Sequence, residues 1–249
     1  VPPRDQDAAC GDAPPPHDDL AELLRAHLAA RSTHDPDSAV APGAARRFGL
    51  DALTLNMLAH DGHLELLWCD PAKGLGPELD NLQYTLGDGP ALEAVQRGRP
   101  LIEPDLLAAD PDRWPLFLAA AARTPVRAAI ATPLRVGAAT IGVLTGYRTT
   151  TGPLTPAQLR DLDRLSRPLL LLLHTELTTP ADDTSTGLRL YRAEVHQATG
   201  FLANELGIPL GQALQRLRAH AAAHDQPLTD LARALLTRRL PPDTINPAK

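Results

Sequence analysis

At 249 residues, with 43% hydrophobic and 22% charged side chains, the chain has the composition of an ordinary globular protein and room for two unequal cores. Its two cysteines, Cys10 and Cys69, stand far apart, which argues against a disulfide scaffold or a structural zinc site and for a reducing compartment. No charged-then-apolar leader opens the sequence, and apolar runs such as Leu169 to Leu173 fall far short of the ~18 residues of a membrane span, so a soluble, cytoplasmic protein is expected. The net charge of −6 is unevenly placed: residues 1–186 carry 16 Lys and Arg against 25 Asp and Glu (−9), residues 187–240 carry 7 against 4 (+3). An acidic body with a mildly basic C-terminal module suits a module that meets a polyanion.

Val1 to Pro16 holds five prolines and little bulky apolar matter, too little to offset the entropy of ordering, and is expected to be disordered. From Asp18 the apolar positions Leu20, Leu23, Leu24 and Leu28 fall on one helical face, and a second short helix is expected through Ala44, Ala45 and Phe48. Leu53, Leu55 and Met57 then alternate with Thr54 and Asn56, His60-Asp61-Gly62-His63 makes a turn, and Leu64 to Trp68 returns. Period and turn chemistry together predict a β-hairpin. Helical pieces are expected around Pro90 to Arg97 and Arg113 to Ala122, separated by an extended Leu101-Ile102. A second hairpin runs from Ala128 to Arg135 and from Thr140 to Tyr147 about Val136-Gly137, its branched and small residues suited to a mostly buried sheet. A long helix follows, with Thr155 as cap, Pro156 at its first position and a stripe of Leu159, Leu162, Leu165, Leu169, Leu172 and Leu173. Pro168 is expected to kink or break it. A stripe this dense reads first as core and second as a dimeric signalling helix.

Helix, strand pair, helical insert, strand pair, long helix is an α+β order, an antiparallel sheet with helices packed on one side. The order resembles a GAF domain. Its most specific local match is Thr85-Leu86-Gly87-Asp88-Gly89-Pro90, similar to the TLGEGP run of bacterial GAF–ANTAR proteins. Physically, two glycines and a proline at a helix start read as a fold marker before they read as a ligand loop.

Thr178 to Gly187 has the composition of a linker. Beyond it, Leu188, Tyr191, Val195, Ala198, Leu202 and Leu206 mark an amphipathic helix ended by Gly207. A second helix is expected from Pro209 to about Asp225 and a third from Pro227 toward Leu240, where Pro241-Pro242 stop it. Val195 to Leu202, Leu206 to Ile208, Ala213 to Ala221 and Pro227 to Ala232 together resemble an ANTAR domain in order and spacing. The full reading is a disordered N-terminus (1–17), a GAF-like sensor domain (18–177), a linker (178–187), an ANTAR RNA-binding bundle (188–240) and a tail (241–249).

The resemblance implies a transcription antiterminator that binds paired hairpin loops in nascent RNA under control of the GAF-like domain, and two hairpins imply a homodimer. Arg218 stands at the family's arginine position, and a planar guanidinium pairs with phosphate and stacks on a splayed base. His220 is a candidate to stack on a base, and His196 and Thr199 lie in the first matching block. Many members have Ala-Lys-Gly where this chain has Ala198-Thr199-Gly200, so one phosphate-pairing cation is replaced by a hydroxyl donor. Gly200 is expected to allow close helix approach, and Phe201 and Leu202 to be core. The signal is expected to enter through the GAF-like domain as a small molecule or other input, but no cofactor is legible: no cyclic-nucleotide motif and no cysteine suited to bilin attachment is present. An enzyme is disfavoured, since His60, Asp61 and His63 are turn residues without metal-ligand spacing and no nucleophile has a nearby base. A DNA-binding regulator and a sensory adapter are the alternatives, the former weakened by Thr229, Asp230, Arg233 and Thr237 on the third helix in place of a basic recognition surface.

Overall fold

The computed structural model describes residues 43–59, 62–178, 192–224 and 226–245. The expectations for the N-terminus, the first helix, His60-Asp61, most of the linker, Leu188, Tyr191 and Asp225 lie outside these residues. Short helix α1 (Ala44–Arg47) precedes strands β1 (Ala52–Leu58) and β2 (Leu64–Asp70), helices α2 (Leu75–Leu86) and α3 (Pro90–Arg97), strand β3 (Leu101–Glu103), helix α4 (Pro115–Ala121), strands β4 (Ala128–Val136) and β5 (Ala139–Arg148), and the long helix α5 (Pro156–Thr178). The strands form one antiparallel sheet in the order β2-β1-β5-β4-β3.

Helices cover both faces of this sheet, not one. Leu53, Leu55, Ile130, Leu134 and Leu144 pack against α1 and the α5 residues Leu162, Leu165, Leu169 and Leu173. Ala52, Ala129, Ala131, Val143 and Tyr147 pack against α2, α3 and α4 through Leu79, Ala91, Ala94 and Phe117. The alternation in β1 therefore has a different meaning from that of a half-exposed strand: Thr54 and Asn56 are as buried as Leu53 and Leu55, and their polar atoms need partners. Asn56 Nδ2 donates to Asp80 Oδ1 at 2.6 Å. The sequence reading assigns nothing between Trp68 and the Thr85 motif, yet α2 stands there, with Leu75, Leu79, Leu82 and Leu86 at helical spacing.

Helix α5 opens on a capping box: Gln158 N donates to Thr155 Oγ1 (3.2 Å), and Thr155 N donates to Gln158 Oε1 (2.9 Å). It runs on through Pro168 without a break. Leu162, Leu165, Leu169 and Leu173 are buried against the sheet, so these members of the stripe are core and not a free dimerisation seam.

The segment from Thr85 to Pro90 works as a joint. Asp88 Oδ2 accepts from Leu116 N and Phe117 N at the start of α4, while Gln83 Oε1 accepts from Ala91 N and Gln83 Nε2 donates to Tyr147 Oη. Gly89 has φ 132, and a Cβ there would lie 2.6 Å from the Gln83 side chain. The motif thus holds α2, α3 and α4 in register on β5. Beside it, Arg113 bridges Glu93 and Glu103. Burial works to raise the Glu93 carboxyl, but Arg113 and Arg97 outweigh it and hold it below the ordinary value.

The C-terminal unit comprises α6 (Ala193–Leu206), α7 (Leu210–Ala223), α8 (Leu228–Leu236) and a 3₁₀ turn (Pro242–Ile245). Val195, Ala198, Leu202, Leu214, Leu217, Leu231 and Leu235 make its core. Gly207, at φ 62, ends α6 in the left-handed region, and Ile208 N returns to Ala203 O. Gly200 does not serve close approach, since a Cβ there would meet nothing within 4 Å.

Close approach is enforced at Gly142 on β5, where a Cβ would fall 2.5 Å from Asn56 O and 2.7 Å from Leu173 Cδ1. Gly142→Ala is expected to push β1 or α5 outward and cost about 1–3 kcal/mol, read as a lower urea midpoint. An unchanged midpoint would contradict this packing.

Candidate nucleic-acid interface

Helix α6 presents two faces. Val195, Ala198 and Leu202 point into the bundle, while Arg192, His196 and Thr199, spaced by four and three, share the neighbouring face. That face meets the sheet domain. Arg192, at 4% exposed, pairs with Asp80 Oδ2, donates to Leu64 O at 3.4 Å and sets its guanidinium 4.0 Å from the Tyr84 ring centroid. His196 Nε2 lies 2.8 Å from Glu65 Oε1, a carboxylate only 2% exposed. Thr199 Oγ1 donates back to Val195 O at 2.7 Å, so its hydroxyl is already committed within the helix.

On α7 the two candidates separate. Arg218 stands over the same Tyr84 ring, at 4.5 Å from its centroid, whereas His220, two residues on, points roughly 200° away around the helix. His220 stacks on His224 with centroids 4.1 Å apart and 25° between planes, and lines an open groove of about 630 Å³ with Gln212, Gln215, Arg216 and Thr244. Arg218 and His196 therefore belong to the side of the bundle nearest the sheet domain, and His220 to another. Tyr84 itself is 4% exposed and packs within the bundle's apolar cluster, although it belongs to α2. A cavity of about 150 Å³ opens beside it, lined among others by His63, Asp80, Gln83 and Arg218.

Four residues of this seam were not singled out from the sequence: Arg192, Glu65, Asp80 and Tyr84. A signal existed for the acids. Glu65 interrupts the apolar run from Leu64 to Trp68, and Asp80 follows Leu79 on a face that packs on the sheet. A carboxylate in such a place needs a cation or donors. The side chains that meet them, Arg192 and His196, lie 112 and 131 positions further along the chain, a pairing no local pattern announces.

On the far side of the bundle, Arg233 is bound by Glu194 at 2.8 Å and by Asp230 at 3.3 Å. The exposed face of α8 is thus an ion-paired surface, and its side chain is not held ready for a groove of DNA.

Burial first, and the charge of His224 second, lower the His220 pKa from its ordinary value. A histidine depressed on folding takes up its proton more readily when unfolded, so its stabilising contribution is complete above ~6.5 and is lost as pH falls through that value toward the folded pKa. Stability of the bundle is expected to decline over this window, and His220→Gln to flatten the decline, as read by urea melts between pH 7.5 and 5.5. A parallel decline in both proteins would remove His220 as the cause.

Two family models match the chain. Residues 39–174 match the GAF domain and residues 190–236 match the ANTAR domain. Among curated proteins the sequence has no significant match. Among solved structures it is similar to the type II free methionine-R-sulfoxide reductase from Thermoplasma acidophilum, with 19% identity over 62% of this chain and 95% of the other and a TM-score of 0.44. It is also similar to the GAF domain of the phosphoenolpyruvate-protein phosphotransferase from Acinetobacter, with 15% identity over 66% and 98% of the two chains and the same TM-score, 0.44. The GAF match spans more than half of the sequence and the ANTAR match follows it directly, so the chain belongs to the GAF–ANTAR regulators.

Proposed function

We propose that this protein is a signal-responsive transcription antiterminator, in which the GAF domain controls an ANTAR domain that binds hairpin loops in nascent RNA. The observation that carries the reading is the pairing of the two domains in one chain, with the ANTAR arginines seated on α2 of the GAF domain. Arg218 is the principal RNA ligand of the proposal, through phosphate or base stacking; His220, Thr199 and His196 are its further RNA candidates, of which Thr199 has its hydroxyl held by Val195 O and His196 lies against Glu65. The paired hairpins call for two ANTAR modules and hence a homodimer. The input is a small molecule or other signal at the GAF domain, the setting is the cytoplasm, and catalysis has no part in it. No described helix is long and apolar enough to cross a membrane.

A DNA-binding role is less well supported, because the recognition-helix position is occupied by the paired Arg233 and by Asp230. Filter binding tests the choice. Hairpin RNA is expected to bind more tightly than duplex DNA of equal length, and Arg218→Glu, folded by circular dichroism, to weaken hairpin binding by about 1–3 kcal/mol. Tighter binding of duplex DNA, or wild-type affinity in the folded variant, would sink the reading of this surface. Light scattering of the RNA complex is expected to give two chains, and a monomer at saturating RNA would remove the homodimer.

A further inference from the structure

The chemistry that the GAF domain offers the two seam arginines is the chemistry a loop nucleotide would offer them. A guanidinium recognises RNA through an anionic oxygen and through the face of an unstacked ring. Arg192 has both here, the Asp80 carboxylate and the Tyr84 phenol, and Arg218 has the same ring. Glu65 supplies a second carboxylate, with one oxygen 2.8 Å from His196 Nε2. We infer that the surface formed by Glu65, Asp80 and Tyr84 is an internal mimic of RNA, occupying the ANTAR face in competition with the hairpin.

This inference rests on the RNA reading above and deepens it, since it states how the site is regulated. The mimic is built into the GAF interior. Asp80 Oδ1 accepts from Asn56 of β1 while its other oxygen pairs with Arg192. Three residues on, Gln83 donates to Tyr147 of β5. A change in the spacing of α2 and the sheet therefore moves the carboxylate and the ring together, because both are mounted on α2. Apolar burial of Tyr84 in the cluster of the bundle favours the closed arrangement, and the cation–π contact with Arg192 is strengthened where water is excluded. RNA enters only by displacing the mimic.

The test uses the full chain in four forms, wild type, Tyr84→Ala, Tyr84→Phe and Asp80→Asn, with a hairpin RNA as probe at fixed salt. Tyr84→Ala and Asp80→Asn are expected to bind the hairpin roughly tenfold more tightly than wild type, a coupling of ordinary size for linked sites, and Tyr84→Phe, which keeps the ring, to bind like wild type. Hydrogen exchange gives a second readout: saturating RNA is expected to speed exchange at α2 and β2 of the wild-type protein as the seam is vacated. Equal affinity in wild type and in both folded opening variants would overturn the mimic while leaving RNA binding intact, as would RNA binding without any change at α2 and β2. If no form binds hairpin RNA, the RNA reading itself fails and takes the mimic with it. Should Tyr84→Ala fail to fold, Asp80→Asn, which preserves side-chain shape, and the exchange measurement on wild type decide the matter.

Discussion

Asp80 carries a negative charge at a point where almost no water reaches, and much of the molecule is arranged around that fact. Removing a carboxylate and a guanidinium from water is costly, and the pair is tolerable only when each finds further partners. Here Asp80 is shared between Asn56 of the sheet and Arg192 of the ANTAR unit, while Arg192 adds a backbone carbonyl and the Tyr84 ring. Breaking such a pair from one side leaves an uncompensated buried charge, a penalty on the order of 3–5 kcal/mol. The two domains are thus joined by a contact that is stable when complete and unfavourable when half made, which is the behaviour required of a latch with two discrete positions.

That contact depends in turn on the position of α2. The helix is fixed by Gln83 to Tyr147 and to the start of α3, and by Leu79 in the core. The Tyr147 phenol is buried, and burial together with the Asp80 charge raises its pKa, so it stays a neutral partner for Gln83. The glycines and Asp88 of the motif after α2 hold α3 and α4 beside it. What reads locally as a helix-start loop is, in the assembled domain, the mounting of the surface that meets the ANTAR bundle.

The ANTAR unit shows why residue type alone does not name a ligand-binding face. Three of its arginines are used in two ways: Arg192 and Arg218 on the GAF seam, Arg233 within the bundle's own ion pairs with Glu194 and Asp230. A surface pair like that of Arg233 contributes little to stability because solvent screens it, but it does occupy the guanidinium. The neighbouring stretch from Gln212 to His224 is the more open surface, with a stacked histidine pair and Arg216 along one groove.

By itself the sequence determined the strands of both hairpins, the long helix after Thr155, the three C-terminal helices and the pairing of GAF with ANTAR, because each is marked by local means: a period of two or of 3.6, a threonine cap with proline after it, a glycine stop, a motif in order. It left α2 without an assignment, although its leucines have the right spacing, and it read the helices as lying on one side of the sheet. The reason is shared. Polar residues at Thr54, Asn56, Glu65, Asp80 and Gln83 look solvent-facing when read along the chain, and only the fold shows that a second layer covers them, that Asn56 bonds Asp80 and that Gln83 bonds Tyr147. The same limit applied to the RNA candidates. Sequence placed Arg218, Thr199, His196 and His220 in one module; tertiary structure decided that Arg218 and His196 meet the GAF domain, that Thr199 bonds within its own helix and that His220 lies elsewhere, since helix rotation and long-range pairing are set by what packs against the helix and not by its own residues.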